Sequence, residues 1–189
     1  EKSSIRVSLP EDNETTIPEE IPENCVTREQ LELMIGNGED VTQVCTTYIT
    51  DMSRLFLLNK TFNQDISQWD VSNVTNMASM FAFSNFNQDI SQWDVSSVTD
   101  MSGMFSFSKF NGNINNWEVS NVINMSRMFS YSPFNQNISN WNVSIVTNMS
   151  NIFSGSQFNT TLDNWDFSNV NDMSRMFSYS KYNLSLIHI

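Results

Sequence analysis

Apolar and polar positions recur along residues 62–183 with a period of 24 and no gap. Each copy opens on an aromatic residue followed by asparagine: Phe62-Asn63, Phe86-Asn87, Phe110-Asn111, Phe134-Asn135, Phe158-Asn159 and Tyr182-Asn183. Seven positions later stands a tryptophan, in turn Trp69, Trp93, Trp117, Trp141 and Trp165. In the copy 62–85, Trp69 and Val71 alternate with Gln68 and Asp70, a period of two that predicts a short strand over 65–71. From Val74 the apolar residues Met77, Met80 and Phe81 follow at spacings of three and four. That stripe predicts about two turns of helix over 73–81, capped by Ser72. The stretch from Phe83 into the next copy is left as the return corner. A fixed repeat of this length predicts a solenoid, here an α/β coil of short parallel strands and short helices stacked on one another.

Variation between copies follows the same logic. Ile152 replaces a methionine, Leu162 an isoleucine and Phe167 a valine, so apolar character persists at the expected core positions. Asn76, Asp100, Asn124, Asn148 and Asp172 interchange as an exposed polar site would. The asparagine that opens each copy is expected inside a turn, buried, bonding the backbone of its own and the adjacent copy. A degraded copy precedes the array, since 49–56 matches 98–105 with one extra residue within 57–61. Before it, Thr27-Arg28-Glu29-Gln30 is a capping box for a helix stopped by Gly36 and Gly38. The chain therefore divides into an acidic linker (1–24), an N-terminal cap (25–48), the array (49–183) and a tail (184–189). The tail Leu184-Ser185-Leu186-Ile187-His188-Ile189 breaks the pattern and matches a translated sequencing adaptor. It is read as non-native, which removes His188, the one histidine, from consideration. The absence of a starting methionine reads as a fragment of something longer.

Charge narrows the partners. The net charge is −12 and the pI about 4.2, which argues against nucleic acid and anionic membrane surfaces. Part of it lies in the linker, where Glu1, Glu11, Asp12, Glu14, Glu19, Glu20 and Glu23 face only Lys2 and Arg6. No apolar run is long enough to span a bilayer. Cys25 and Cys45 lie outside the repeat. A disulfide between them is the favoured reading, with buried free thiols as the alternative. The bond would contribute about 3 kcal/mol in the chain-entropy model and imply an oxidising compartment.

The phrase N-x-x-I-x-x-W-x-V-S-x-V-x-x-M-x-x-M-F, with V-T-D-M-S-x-M-F at 98–105, resembles the BspA-like leucine-rich-repeat surface proteins. The similar branch is the one whose short repeat occurs in mycoplasma surface lipoproteins. The resemblance covers residues 49–183. It implies a right-handed, leucine-rich-repeat-like solenoid displayed at a cell surface, with adhesion to host or neighbouring proteins as the expected role. It brings no catalytic residues. The array is shorter than the family's usual length.

Chemistry is sparse. No histidine or lysine recurs beside the serines to act as a base, and no glycine loop cradles phosphate. The tryptophans are expected in the core, the alternative being an outward sugar-stacking platform. Asp70, Asp94, Glu118 and Asp166, interrupted by Asn142, form a row readable as a solvated acidic face or, less favourably, a calcium site. The nine N-x-S/T sequons follow from a repeat built of Asn, Ser and Thr. The expectation is a non-catalytic, extracellular or surface-displayed module for adhesion or protein–protein interaction, with no cofactor, metal or direct membrane insertion. A host, neighbouring-cell or matrix protein is the expected partner. A glycan-binding module and a structural spacer are the alternatives. The expected interaction face is Gln68, Asp70, Gln92, Asp94, Asn116, Glu118, Asn140, Asn142, Asn164 and Asp166.

Overall fold

The computed structural model describes residues 21–183. The acidic stretch up to residue 20, with the sequon at Asn13, and the tail 184–189 lie outside the described residues. One helix, α1 (Arg28–Asn37), precedes the repeats. The Thr27 hydroxyl accepts the Gln30 amide while the Gln30 side chain accepts the Thr27 amide, so both orphan donors are satisfied. The helix runs through Gly36 rather than stopping there, and ends at Gly38, whose φ of 74° is the left-handed geometry glycine accepts freely.

Cys25 and Cys45 are disulfide-bonded. The bond closes the N-terminal segment on itself; other groups attach that segment to the repeats. Arg28 donates to the Asp51 carbonyl and carboxylate and to the Ser53 carbonyl. Gln64 bridges the Val41 amide and the Glu39 carbonyl. Trp69 donates its indole N–H to the Val41 carbonyl.

Successive repeats stack in register. The apolar positions named above are buried from Phe62 to Trp165, and they form one continuous core with the columns of phenylalanine side chains running through it. Phe81, Phe105, Phe129 and Phe153 stack at 5.7–5.9 Å between neighbours, and each also lies 4.0–4.2 Å from the phenylalanine that opens the following repeat.

The backbone differs from the expectation of alternating strands and helices. Among the described residues α1 is the only helix, and parallel pairing occurs as single bridges such as Asn76 with Asp100 and Asp100 with Asn124. In the stretch expected to be helical, alternate amides point to different partners. Met77, Ser79, Phe81 and Phe83 donate to the Asp100, Ser102, Met104 and Ser106 carbonyls of the next repeat at 2.8–2.9 Å. Met80, Ala82 and Ser84 donate within the repeat to the Met77, Ser79 and Phe81 carbonyls, closing three consecutive tight turns. Left-handed residues recur every fourth position, at Ser79 and Phe83 and their equivalents, which forbids a continuous α-helix. The apolar stripe is buried either way, so spacing alone could not separate the two solutions. What separates them is that a helix would spend these amides internally and remove the backbone bonds they make to the next repeat.

The stretch expected as strand is also built of turns. Trp69 donates to the Ile66 carbonyl and Val74 to the Val71 carbonyl. The in–out alternation holds, with Trp69 and Val71 buried and Gln68 and Asp70 exposed. Here the repeats are joined by side chains instead. Trp93, Trp117, Trp141 and Trp165 each donate an indole N–H, at 3.0–3.1 Å, to the Ile66, Ile90, Ile114 and Ile138 carbonyls of the repeat before.

The asparagine opening each repeat is not buried inside a turn as expected. Asn63, Asn87, Asn111 and Asn135 lie at the surface, and each side-chain oxygen accepts the backbone amide of the corresponding asparagine one repeat on. The tie between repeats is therefore the part of that expectation the structure contains.

Candidate functional site

Two edges of the repeat present side chains to solvent in register. The first carries the ten expected interaction residues, all of them exposed. One set of these has a local task. Asp70 Oδ1 accepts the Ser72 amide and hydroxyl, and its Oδ2 accepts the Thr47 hydroxyl. Asp94, Glu118, Asn142 and Asp166 each accept the amide two residues on, from Ser96, Ser120, Ser144 and Ser168. Such Asx-type bonds fix the turn that returns the chain to the core. The turn needs an acceptor oxygen rather than a charge, which is why Asn142 can stand in the row. The same device recurs at Asp65, Asp89, Asn113 and Asn137, and again at Asn76, Asp100, Asn124, Asn148 and Asp172.

At Asp70, Asp94 and Asp166 these bonds stabilise the ionised carboxylate. The Ser72 hydroxyl first, with the Ser72 amide and Thr47, holds Asp70 below its ordinary range against partial burial. Asp94 is lowered by the Ser96 hydroxyl and amide, with Asp70 opposing, and Asp166 by the Ser168 amide and hydroxyl. Gln68 and Gln92 reach only the neighbouring Ser67 and Ser91 hydroxyls and leave much of their hydrogen-bonding capacity to solvent. No group of three or more His, Cys, Asp or Glu close enough to hold a metal ion occurs among the described residues.

The five tryptophans are 2–6% exposed, so an outward sugar-stacking platform built from them does not exist.

For the second edge the sequence predicts only a return corner. That edge carries the residue that ends each turn ladder: Leu58, Phe83, Phe107, Tyr131, Gly155 and Tyr179, all with positive φ. The rings are exposed, from 38% at Phe83 to 89% at Tyr179. Phe83 stacks on Phe107 and Phe107 on Tyr131, both at 4.6 Å. Four residues earlier stand Arg54, Ser79, Gly103, Arg127, Asn151 and Arg175, also left-handed. Apart from Arg28, every lysine and arginine among the described residues lies between this position and the start of the following repeat. Charge is thus segregated, with carboxylates on the turn edge and cations here. A groove of about 610 Å³ runs along this edge between Phe83 and Tyr179, bordered by Arg127 and Arg175 and floored by Ser106, Ser130, Ser154 and Ser178. The signal was present in the sequence: an aromatic residue two places after each M-F pair, at the same period of 24, with glycine at that place after Ile152-Phe153 and basic residues clustered around the row.

The chain matches the family described as "Mycoplasma protein of unknown function, DUF285" over residues 29–133 and 107–187. It belongs to this family. The match takes in α1 from its second residue and every repeat, so the family covers both edges just described. No curated protein and no solved structure matches the chain.

Proposed function

We propose that this family member is a non-catalytic, surface-displayed binding module, and that its stacked repeats form a solenoid that adheres to a protein of a host, a neighbouring cell or the surrounding matrix. The BspA-like surface proteins are the group whose repeat phrase it resembles. The observation that carries the reading is the in-register exposure of the same polar positions, Gln68 and Asp70 and their equivalents, on five consecutive repeats. One repeat offers a strip only about 5 Å wide, whereas a stable interface needs about 800 Å² per partner, so several repeats must act together. The disulfide in the segment before the repeats is in keeping with an oxidising, extracellular setting.

The test must spare the turns. Because an amide can replace a carboxylate there, the quadruple variant Asp70→Asn, Asp94→Asn, Glu118→Gln, Asp166→Asn removes charge while keeping each acceptor. Binding to an array of matrix and cell-surface proteins should lose its salt dependence and weaken at least several-fold, with the thermal melt moving by only a few degrees. Unchanged binding would move the contact off this edge. No binding by the parent chain to any protein would favour the spacer.

A further inference from the structure

Charge on the array is sorted by side. The buried rings of Phe105 and Trp117 lie 6.4 Å apart, so the segments that carry them face each other across the core. Glu118, exposed beside Trp117, therefore points away from the groove whose floor includes Ser106, beside Phe105. The same holds one repeat earlier, where the rings of Phe81 and Trp93 lie 6.3 Å apart. The polar edge and the groove edge are thus opposite sides of the array. The stretches 78–86, 102–110, 126–134, 150–158 and 174–182, which build the groove edge, contain no Asp or Glu. Their cations make no salt bridge among the described residues, where both bridges belong to Arg28.

The two sides also agree repeat by repeat. Asp94 shares its repeat with Lys109, Glu118 with Arg127, and Asp166 with Arg175. Where the polar edge has lost its carboxylate, at Asn142, the groove edge has no cation either, and the whole repeat 134–157 is without a charged residue. Only 62–85 departs, with Asp70 and no cation of its own. Two copies set side by side, parallel and at the same height, would bring Asp94, Glu118 and Asp166 of one opposite Lys109, Arg127 and Arg175 of the other. The uncharged repeats would then face each other. Sliding one copy by a repeat, in either direction, sets Asn142 against an arginine and Glu118 or Asp166 against the uncharged repeat.

We propose that neighbouring copies of this chain pack side by side in this register, the polar edge of one against the groove edge of the next. Each partner uses a different surface, so every contact leaves one edge of each kind free and the association extends into a row. Copies displayed on one surface share orientation and height, which is what the register needs. To that extent the inference rests on the reading above, and it gives the polar edge a second partner. Exposed charge pairs are each worth little, so the contact is weak in solution and gains from the effective concentration of tethered copies. The screening length is about 8 Å at physiological salt, so facing rows still attract at contact while repulsion from the rest of the −12 charge is damped.

Zero-length carbodiimide cross-linking of isotope-labelled chain mixed with unlabelled chain tests this, because mixed-isotope products arise only between copies. Links from Asp94 to Lys109 and from Asp166 to Lys181 are expected, and they should vanish at about 1 M salt, where the screening length is about 3 Å. Light scattering at millimolar chain concentration supplies a second arm. One variant carries Arg127→Glu and Arg175→Glu. The other carries Asn116→Lys, Glu118→Gln, Asn164→Lys and Asp166→Asn, which keeps each turn acceptor. Each alone should lose self-association at least tenfold, and an equimolar mixture should recover it, since each then offers the other an edge of opposite charge. Should a variant melt early, the cross-links of the parent chain decide the matter. Absent mixed-isotope links, links joining different repeats, or no recovery in a mixture of two variants that melt as the parent does would overturn the proposal. Polyglutamate binding to the groove edge without self-association would assign that edge to a foreign acidic partner, and would overturn it too. The arginine variant keeps its polar edge and should still bind any protein found on the array, so either reading can fail alone.

Discussion

Trp117 does two things at once. Its ring is 3% exposed in the core, and its indole N–H donates at 3.1 Å to the Ile90 carbonyl of the repeat before. Burying an indole is worth roughly 4–6 kcal/mol as an upper estimate. Trp117→Ala should therefore destabilise by about 3–5 kcal/mol, and Trp117→Phe by about 1–3 kcal/mol through the carbonyl left unpaired. Asp94→Ala removes one exposed turn bond and should cost about 1 kcal/mol. Denaturant melts of the three variants check the order, and equal small losses would contradict it. The burial of these rings was legible because Trp and Val alternate with Gln and Asp. Their inter-repeat bond was not, because nothing in a tryptophan's spacing says where its N–H will find a carbonyl. The positive φ at the exposed rings was equally hidden, although their period of 24 was not. Phe83, Phe107, Tyr131 and Tyr179 sit where Gly155 is relaxed, at about 1–2 kcal/mol each for a side chain.

At the scale of elements, the repeat is a sequence of side-chain-capped turns. In four of the five repeats three acceptors, at the positions of Asp65, Asp70 and Asn76, each fix one, and in the fifth two do. The interchange of Asp and Asn at Asn76 and its equivalents is visible in the sequence, where it predicts only exposure. Its cause is that one oxygen suffices. At Asp65, Asp89, Asp94, Asp166 and Asp172 folding lowers the pKa below its ordinary range, the serine two residues on being the main cause. The native state thus binds fewer protons than the unfolded one as the pH falls through the ordinary carboxylate range. The stabilisation is fully present above the unfolded value and disappears as pH drops through the folded value. The melting temperature should fall between pH 5 and pH 3, and fall less in a chain with those five aspartates changed to asparagine. A steeper fall in the substituted chain would contradict the assignment of this pH dependence to the five aspartates. The helix expected over 73–81 failed here for a related reason. Asn and Ser are weak helix formers that favour local bonds to the backbone, and the Asn76 side chain caps Ala78 rather than starting a helix.

Across the whole molecule, the period of 24 sets what each surface repeats. Turn caps place carboxylates along one edge, and left-handed positions place rings and cations along another, with the core between successive repeats continuous. Both edges inherit their order from the backbone ties between repeats, so those ties are what the account stands on. Scalar couplings across hydrogen bonds, measured by NMR on labelled chain, observe them directly. The account predicts couplings from the Met101 amide to the Asn124 carbonyl and from the Phe105 amide to the Met128 carbonyl, each linking a residue to one in the next repeat. Couplings from these amides to carbonyls four residues earlier would mean a helix in each repeat, and would contradict it.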